Sequence, residues 1–243
     1  MGCDCDACTS DDPKDRRTRH GALLELEGGT VLIDTPPEVR LQLLAAGVDV
    51  VDAVWFTHAH ADHIHGIDDL RVFTAHRRRD LPAFVPREYE ALLRSRFRYI
   101  FDDSYRPPEG TTKPEIHLHP FEPSEPVTVL DHRFEPLAVP HGPLTVYGFR
   151  VGDLGYVTDG KYLPEAAMET LRGVRVLVLN ALWFGHPHPT HFNVEEAIEA
   201  ADSVGAERTY LTHLTHRVRH QELVDRLPEG ILPAYDGLSI EIP

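Results

Sequence analysis

A chain of 243 residues is long enough for one large domain or two small ones, and 42% hydrophobic residues suits an ordinary globular core, so one domain over 1–243 is expected. The 39 acidic and 24 basic residues leave a net charge of −15, which predicts repulsion from nucleic acids and anionic membranes and argues against either as a partner. No run approaches the roughly 18 apolar residues that span a bilayer, and the opening MGCDCDACTSDD is acidic where an export signal would be basic and then apolar; a cytoplasmic protein is expected.

The chain opens with Cys3, Cys5 and Cys8, a C-x-C-x2-C cluster with no fourth cysteine. Three thiols cannot all pair as disulfides, so a zinc site completed by one histidine is favoured over residues 3–8. HGALLELEGGTVLIDT reads as two strands joined at Gly28 and Gly29, and PPEVRLQLLAAG as a helix between Pro36–Pro37 and Gly47. AVWFTH is the next buried strand. Leu81 to Pro126 mixes a helix around REYEALLRSRFRYIF with a proline-rich connection. RFEPLAVPHG, LTVYGFRVG and LGYVTDG then read as strands, LPEAAMETLRG as a helix and VRVLVLNAL as a strand. NVEEAIEAADSVG is a helix, AERTYLTHL a strand, QELVDRLPEG a helix and AYDGLSIEI a last strand. The pattern predicts a mixed α/β fold rich in strands.

Five apolar runs close on a metal-ligand or acid-base residue: Asp34, His58, His141, Asp159 and His213. Strand ends gathered along one sheet edge would bring these side chains together, where active sites tend to form. THAHADHIHGIDDLR crowds ligand-type residues behind one such strand. His58 and His60, two apart in an extended segment, point the same way and can share one ion; Asp62 and His63 can face a second. Imidazole and carboxylate donors without thiolate suit Zn²⁺, and also Mn²⁺ or Fe. Two such ions acidify a water and clamp the oxygens of a displacement, the chemistry of a hydrolase.

THAHADH resembles the HxHxDH signature of the metallo-β-lactamase superfamily, and His141, Asp159 and His213 follow in that superfamily's order. The resemblance covers nearly the whole chain and implies a four-layer αββα sandwich. It implies that His58, His60 and His141 bind one catalytic metal, Asp62, His63 and His213 the other, with Asp159 bridging. His65 lies outside the pattern, as a helix-surface or supporting residue. Within the superfamily the chain is similar to the phosphodiesterases that open phosphoribosyl 1,2-cyclic phosphate. That family places the fourth ligand of a structural zinc three residues after the last active-site histidine, here His216, with His220 as the fallback. In HPHPTHFNVEEA, His191 resembles the group's additional active-site histidine, placed to stabilise phosphoryl oxygens or protonate the leaving group; His186 and His188 share its loop. Asp62, Asp159 and His191 are the expected catalytic groups. Related chains open with a strand and a glycine-rich turn before the cysteines, whereas Gly2 directly precedes Cys3 here. Either the start codon is chosen too late here or the expected sandwich lacks its first strand; in the second case the exposed edge would favour a homodimer.

From Arg71 to Arg98 eight arginines face three acidic residues, either a phosphate-binding surface or exposed helix faces. Phe97, Tyr99 and Phe101 within it fit an aromatic helix face buried in the core. The expected activity is hydrolysis of a small phosphate ester, a cyclic ribosyl phosphate or a nucleotide. The rivals are a tRNA-trailer endonuclease, a thioester or lactam hydrolase, and a non-catalytic nucleotide or metal sensor.

Overall fold

Short, nearly continuous apolar runs such as Ala53–Trp55, buried at every position, are what parallel strands covered on both faces require. In the computed structural model, which describes residues 2–77 and 80–243, such runs build two compact units: one within residues 19–132, the other within residues 2–18 and 133–243.

In the unit 19–132 the strands are β1 (Ala22–Leu26), β2 (Gly29–Ile33), β3 (Ala53–Trp55), β4 (Leu81–Pro86) and β5 (Ile116–Phe121), adjacent in that order. The β1–β2 hairpin is antiparallel, with Ala22 opposite Ile33; the later pairs are parallel. Helices connect them: α1 (Val39–Ala45), α2 (Ala61–Ile64) with α3 (Arg71–Arg77), and α4 (Arg87–Arg96) with α5 (Arg98–Phe101). Trp55 is fully buried and stacks on Phe121 with ring centroids 4.4 Å apart. A short strand, β6 (Val127–Val129), follows.

The second unit turns through an antiparallel meander, β7 (His132–His141), β8 (Leu144–Val151) and β9 (Leu154–Val157). It continues in parallel through β10 (Val176–Asn180), β11 (Arg208–Thr212) and β12 (Ile231–Pro233), with α6 (Glu165–Leu171), α7 (Val194–Val204) and α8 (His220–Arg226) as crossovers. Asn193 and Glu196 form a reciprocal capping box at the start of α7, and Gly205 ends it in a left-handed conformation. Leu137, Val157, Leu179, Phe192, Ala197 and Leu211 belong to the apolar core of this unit. Among the described residues no helix is long and apolar enough to cross a membrane.

Two expectations change and a third is narrowed. The last strand is Ile231–Pro233, not AYDGLSIEI; a turn in which Leu238 N donates to Tyr235 O breaks the alternation that made the tail read as extended. The helix around REYEALLRSRFRYIF stops at Phe97 (φ −114°, ψ 45°), so its aromatic residues do not form one buried face. Tyr89, Leu93 and Ile100 are buried instead, Phe97 and Phe101 are half-buried, and Tyr99 is exposed and donates to Asp68. Finally, four of the eight arginines from Arg71 to Arg98 are ion-paired, which favours the exposed helix faces of the two readings. Arg71 pairs with Asp68, Arg87 with Glu122, Arg94 with Glu90 and Arg98 with Asp102. Arg78 and Arg79 lie outside the described residues.

Candidate metal centres

Three of the five strand-end residues, Asp34, Asp159 and His213, have left-handed backbones (φ 60°, 57° and 58°). Asp and His are among the few side chains enriched there, at a cost of about 1–3 kcal/mol each, and such strain marks places where a side chain must be aimed.

In the unit 19–132 the buried Asp34 carboxylate organises the HxHxDH segment. Oδ1 accepts from Thr57 N (2.8 Å); Oδ2 accepts from Thr57 Oγ1 (2.7 Å) and from His63 Nδ1 (2.7 Å). Because Thr57 spends its proton on Asp34, its oxygen is left to accept from His58 Nδ1, 3.1 Å away. One carboxylate thus fixes two tautomers, assigned from this network: His58 and His63 both carry the proton on Nδ1 and keep Nε2 for a ligand. His58 Nε2 lies 2.9 Å from His60 Nδ1, and His63 Nε2 lies 3.8 Å from Asp62 Oδ2. Gly66 permits this packing, since a Cβ there would stand 2.2 Å from Pro36 O. Beside His60 opens a cleft of about 750 Å³ lined by His60, Ala61, His65, Arg96 and Phe97. His65, exposed as expected, meets Phe97 edge-on, and Arg96 donates to Ala59 O between the two leading histidines.

In the other unit, His141 at the end of β7 donates from Nδ1 to Thr190 O (3.0 Å), again leaving Nε2. Gly142 (φ 60°) allows that approach; a Cβ there would meet Thr190 Cγ2 at 2.7 Å. Asp159 follows β9, and its Oδ1 accepts from Thr158 Oγ1 (2.5 Å). Its Oδ2 is 3.3 Å from both His191 Nε2 and His213 Nε2. Asn180, fully buried, clamps the next peptide, accepting from Gly160 N (2.7 Å) and donating to Gly160 O (3.1 Å). His191 is held from behind by Thr190 Oγ1 (2.9 Å) and His188 Nδ1 (3.2 Å). Burial pushes its pKa down against the opposing pull of the Asp159 carboxylate. His186 is exposed. Sequence reasoning missed the roles of Asp34, Thr57, Asn180 and Thr190; only the aspartate left a trace, as one of the five strand-end residues.

The cysteines meet His216. Cys3, Cys5 and Cys8 Sγ and a His216 ring nitrogen lie within 4.8 Å of one another, with Cys5 Sγ 3.3 Å and Cys3 Sγ 3.5 Å from Nδ1. His220 instead starts α8, buried against Tyr235. Three sulfurs and one imidazole fit a structural zinc ion. The His216 contact lowers the Cys5 pKa to about 6, while its hydrogen bond with Cys5 helps raise Cys8 to about 11. In metal-free protein, alkylation of Cys5 should therefore climb as pH rises through about 6, and Cys8 should stay slow to well above pH 9. Zinc should protect all three. Equal rates for the three thiols at pH 7, or no protection by zinc, would count against a metal site.

The β-lactamase superfamily domain matches residues 29–214. A diphosphatase from the PhnP family is similar in structure, with a TM-score of 0.89 and 38% identity, over 98% of this chain and 89% of that one. An octanoyltransferase of Porphyromonas gingivalis is 37% identical over 98% of this chain, and the chain spans 48% of that protein's length. A ribonuclease Z of Methanopyrus kandleri is 27% identical over 95% of this chain and 94% of its own. Two sheets with covering helices, His and Asp clusters able to hold divalent metals, and these likenesses lead to one conclusion: the chain belongs to the β-lactamase superfamily, with the metallo-β-lactamase fold, and is related to the PhnP family.

Proposed function

We propose that the chain, acting as one domain, is a dinuclear metal-dependent phosphodiesterase for a small phosphate ester, a cyclic ribosyl phosphate or a nucleotide, in the cytoplasm. The superfamily's ligand order assigns His58, His60 and His141 to one Zn²⁺ or Mn²⁺ ion, Asp62, His63 and His213 to the other, and Asp159 to both. The tautomers set by Asp34 and by Thr190 O suit this assignment, since they leave Nε2 of His58, His63 and His141 as the donor. When bound, such ions supply an acidified water and neutralise charge on the phosphoryl oxygens.

The observation that carries the phosphate reading is His191, an imidazole beyond the ligand set held 3.3 Å from Asp159 Oδ2. Burial favours its neutral form, suited to donating a hydrogen bond to a phosphoryl oxygen as negative charge grows there. Arg96, beside His60, is placed to bind the ester's anionic end. The likeness to a PhnP-family diphosphatase supports the same substrate class. A tRNA-trailer endonuclease is the second reading, favoured by the ribonuclease Z likeness and opposed by the net charge of −15.

A hydrolysis panel on metal-loaded protein tests this: cyclic phosphates, linear phosphodiesters, a thioester, a β-lactam and a precursor tRNA. Phosphodiester turnover is expected. His191→Ala should lower kcat about 100- to 1000-fold, as removal of a donor acting in the transition state does, and Arg96→Glu should raise KM about 10-fold. Turnover of the thioester or lactam with none of any phosphodiester would overturn the reading, and no turnover at all would favour a metal or nucleotide sensor.

A further inference from the structure

The segment between the cysteines and β1 ends in a clip. A 3-10 turn, Pro13–Asp15, is capped by Asp12, whose side chain accepts from Lys14 N. It delivers Asp15 and Arg17 to the loop between β11 and α8. The Arg17 side chain is only 12% exposed, and its Nη1 donates to Thr215 O (2.7 Å) and Val218 O (2.8 Å). The Asp15 side chain is 1% exposed; its Oδ1 accepts from His220 N (2.6 Å) and lies 3.3 Å from Arg17 Nη2. Two side chains some 200 residues away in sequence thus hold two carbonyls of that loop and the first N–H of α8.

That loop begins at His213, whose Nε2 faces Asp159. His213 directly follows the last residue of β11, in a left-handed conformation. Two residues on, Thr215 is held from one side by Leu182 O, which accepts from both its N and its Oγ1 (3.1 Å each), and from the other by Arg17. Buried carbonyls in an irregular loop need donors, and a planar guanidinium reaching two of them sets their spacing as a flexible ammonium would not.

We propose that Arg17 and Asp15 are positioning residues for His213, acting through the backbone of Thr215, Val218 and His220 to hold its imidazole in ligand geometry. This rests on the reading of His213 as a metal ligand. A supporting residue of this kind typically changes metal affinity or activity 10- to 100-fold.

The same strap has a second anchor: Thr18 N (2.9 Å) and Oγ1 (2.6 Å) both donate to Asp236 Oδ2, whose charge also reaches Arg17. Thr18→Val removes the hydroxyl donor and leaves that charge in place. Arg17→Gln, Arg17→Lys and Thr18→Val should be compared with the unaltered full chain, keeping zinc at the cysteines. The readouts are the melting temperature, a Co²⁺ titration followed by visible absorption, and kcat and KM on the phosphodiester the unaltered protein hydrolyses. Arg17→Gln should weaken the second Co²⁺ equivalent and lower kcat, each about 10-fold, with KM little changed, and Arg17→Lys should recover part of both. Thr18→Val should lower the melting temperature with the Co²⁺ titration and kcat unchanged. An unaltered titration in folded Arg17→Gln would overturn the proposal, as would an equal loss in Thr18→Val. If Arg17→Gln does not fold, Arg17→Lys decides: its titration must fall below that of the unaltered chain. Should the unaltered protein hydrolyse no phosphodiester, the functional reading fails, and the Co²⁺ titration alone judges the clip.

Discussion

Asp159→Asn is expected to lower kcat at least about 1000-fold while leaving a folded protein. Loss of an outer partner of a metal ligand already costs 10- to 100-fold, and Asp159 is read as the anionic ligand shared by both ions. The choice of substitution matters because the backbone at Asp159 is left-handed (φ 57°). Alanine there would add a conformational cost of about 1–2 kcal/mol, mixing instability with lost chemistry, whereas asparagine tolerates this region. Asparagine can still accept from Thr158 Oγ1 but would bring no charge to the metals assigned to this side chain. The control is His117→Ala, an exposed β5 residue outside both the ligand set and the cleft, which should change kcat little. Activity and bound metal should be measured on the same samples. Equal losses in both variants, or an Asp159→Asn protein that keeps two tightly bound metals and near-normal kcat, would show the ligands to be misassigned.

The strand ends were legible because buried parallel strands write themselves as apolar runs, and a charged or imidazole side chain closing such a run stands out against them. His58, His60, Asp62 and His63 were legible for a further reason: their spacing lies within six residues. The supports were not. Asp34 reaches His63 across 29 positions, and Asn180 reaches Gly160 across 20, so pairings made by strand register leave no local mark. β4 and β5 were hidden by Pro82, Pro86 and Pro120, which read as breakers although the sheet accommodates them. In the arginine-rich segment the charge count could not separate a binding surface from paired helix faces. Asp68, Asp102 and Glu122, which pair with three of its arginines, lie outside the window in which the charge was counted.

Asp34 carries the other large effect, in two variants that should fail differently. Asp34→Ala removes the acceptor for three buried donors, Thr57 N, Thr57 Oγ1 and His63 Nδ1, at a site with no solvent exposure. Each stranded buried donor costs about 1–3 kcal/mol, and the left-handed backbone adds about 1–2 more for alanine, so a loss of at least about 4 kcal/mol is expected. Against a usual domain stability of about 5–15 kcal/mol, that is enough to lower the melting temperature steeply even without metal. Asp34→Asn is the more informative change. Asparagine keeps the backbone and one acceptor oxygen, which Thr57 N can retain, but it turns an NH₂ toward His63 Nδ1. That nitrogen must then accept, the imidazole proton moves to Nε2, and the atom read as the metal donor is blocked. The NH₂ also denies Thr57 Oγ1 its acceptor, so the hydroxyl proton turns to His58 Nδ1 and that imidazole is reversed too; the protein should fold, and the affinity of both assigned ions should fall about 10- to 100-fold. Chelator competition reads that loss and thermal unfolding of the metal-free protein reads the fold. Unchanged metal affinity in Asp34→Asn would mean that His63 does not depend on this carboxylate for its tautomer, and the ligand role given to its Nε2 would have to be withdrawn.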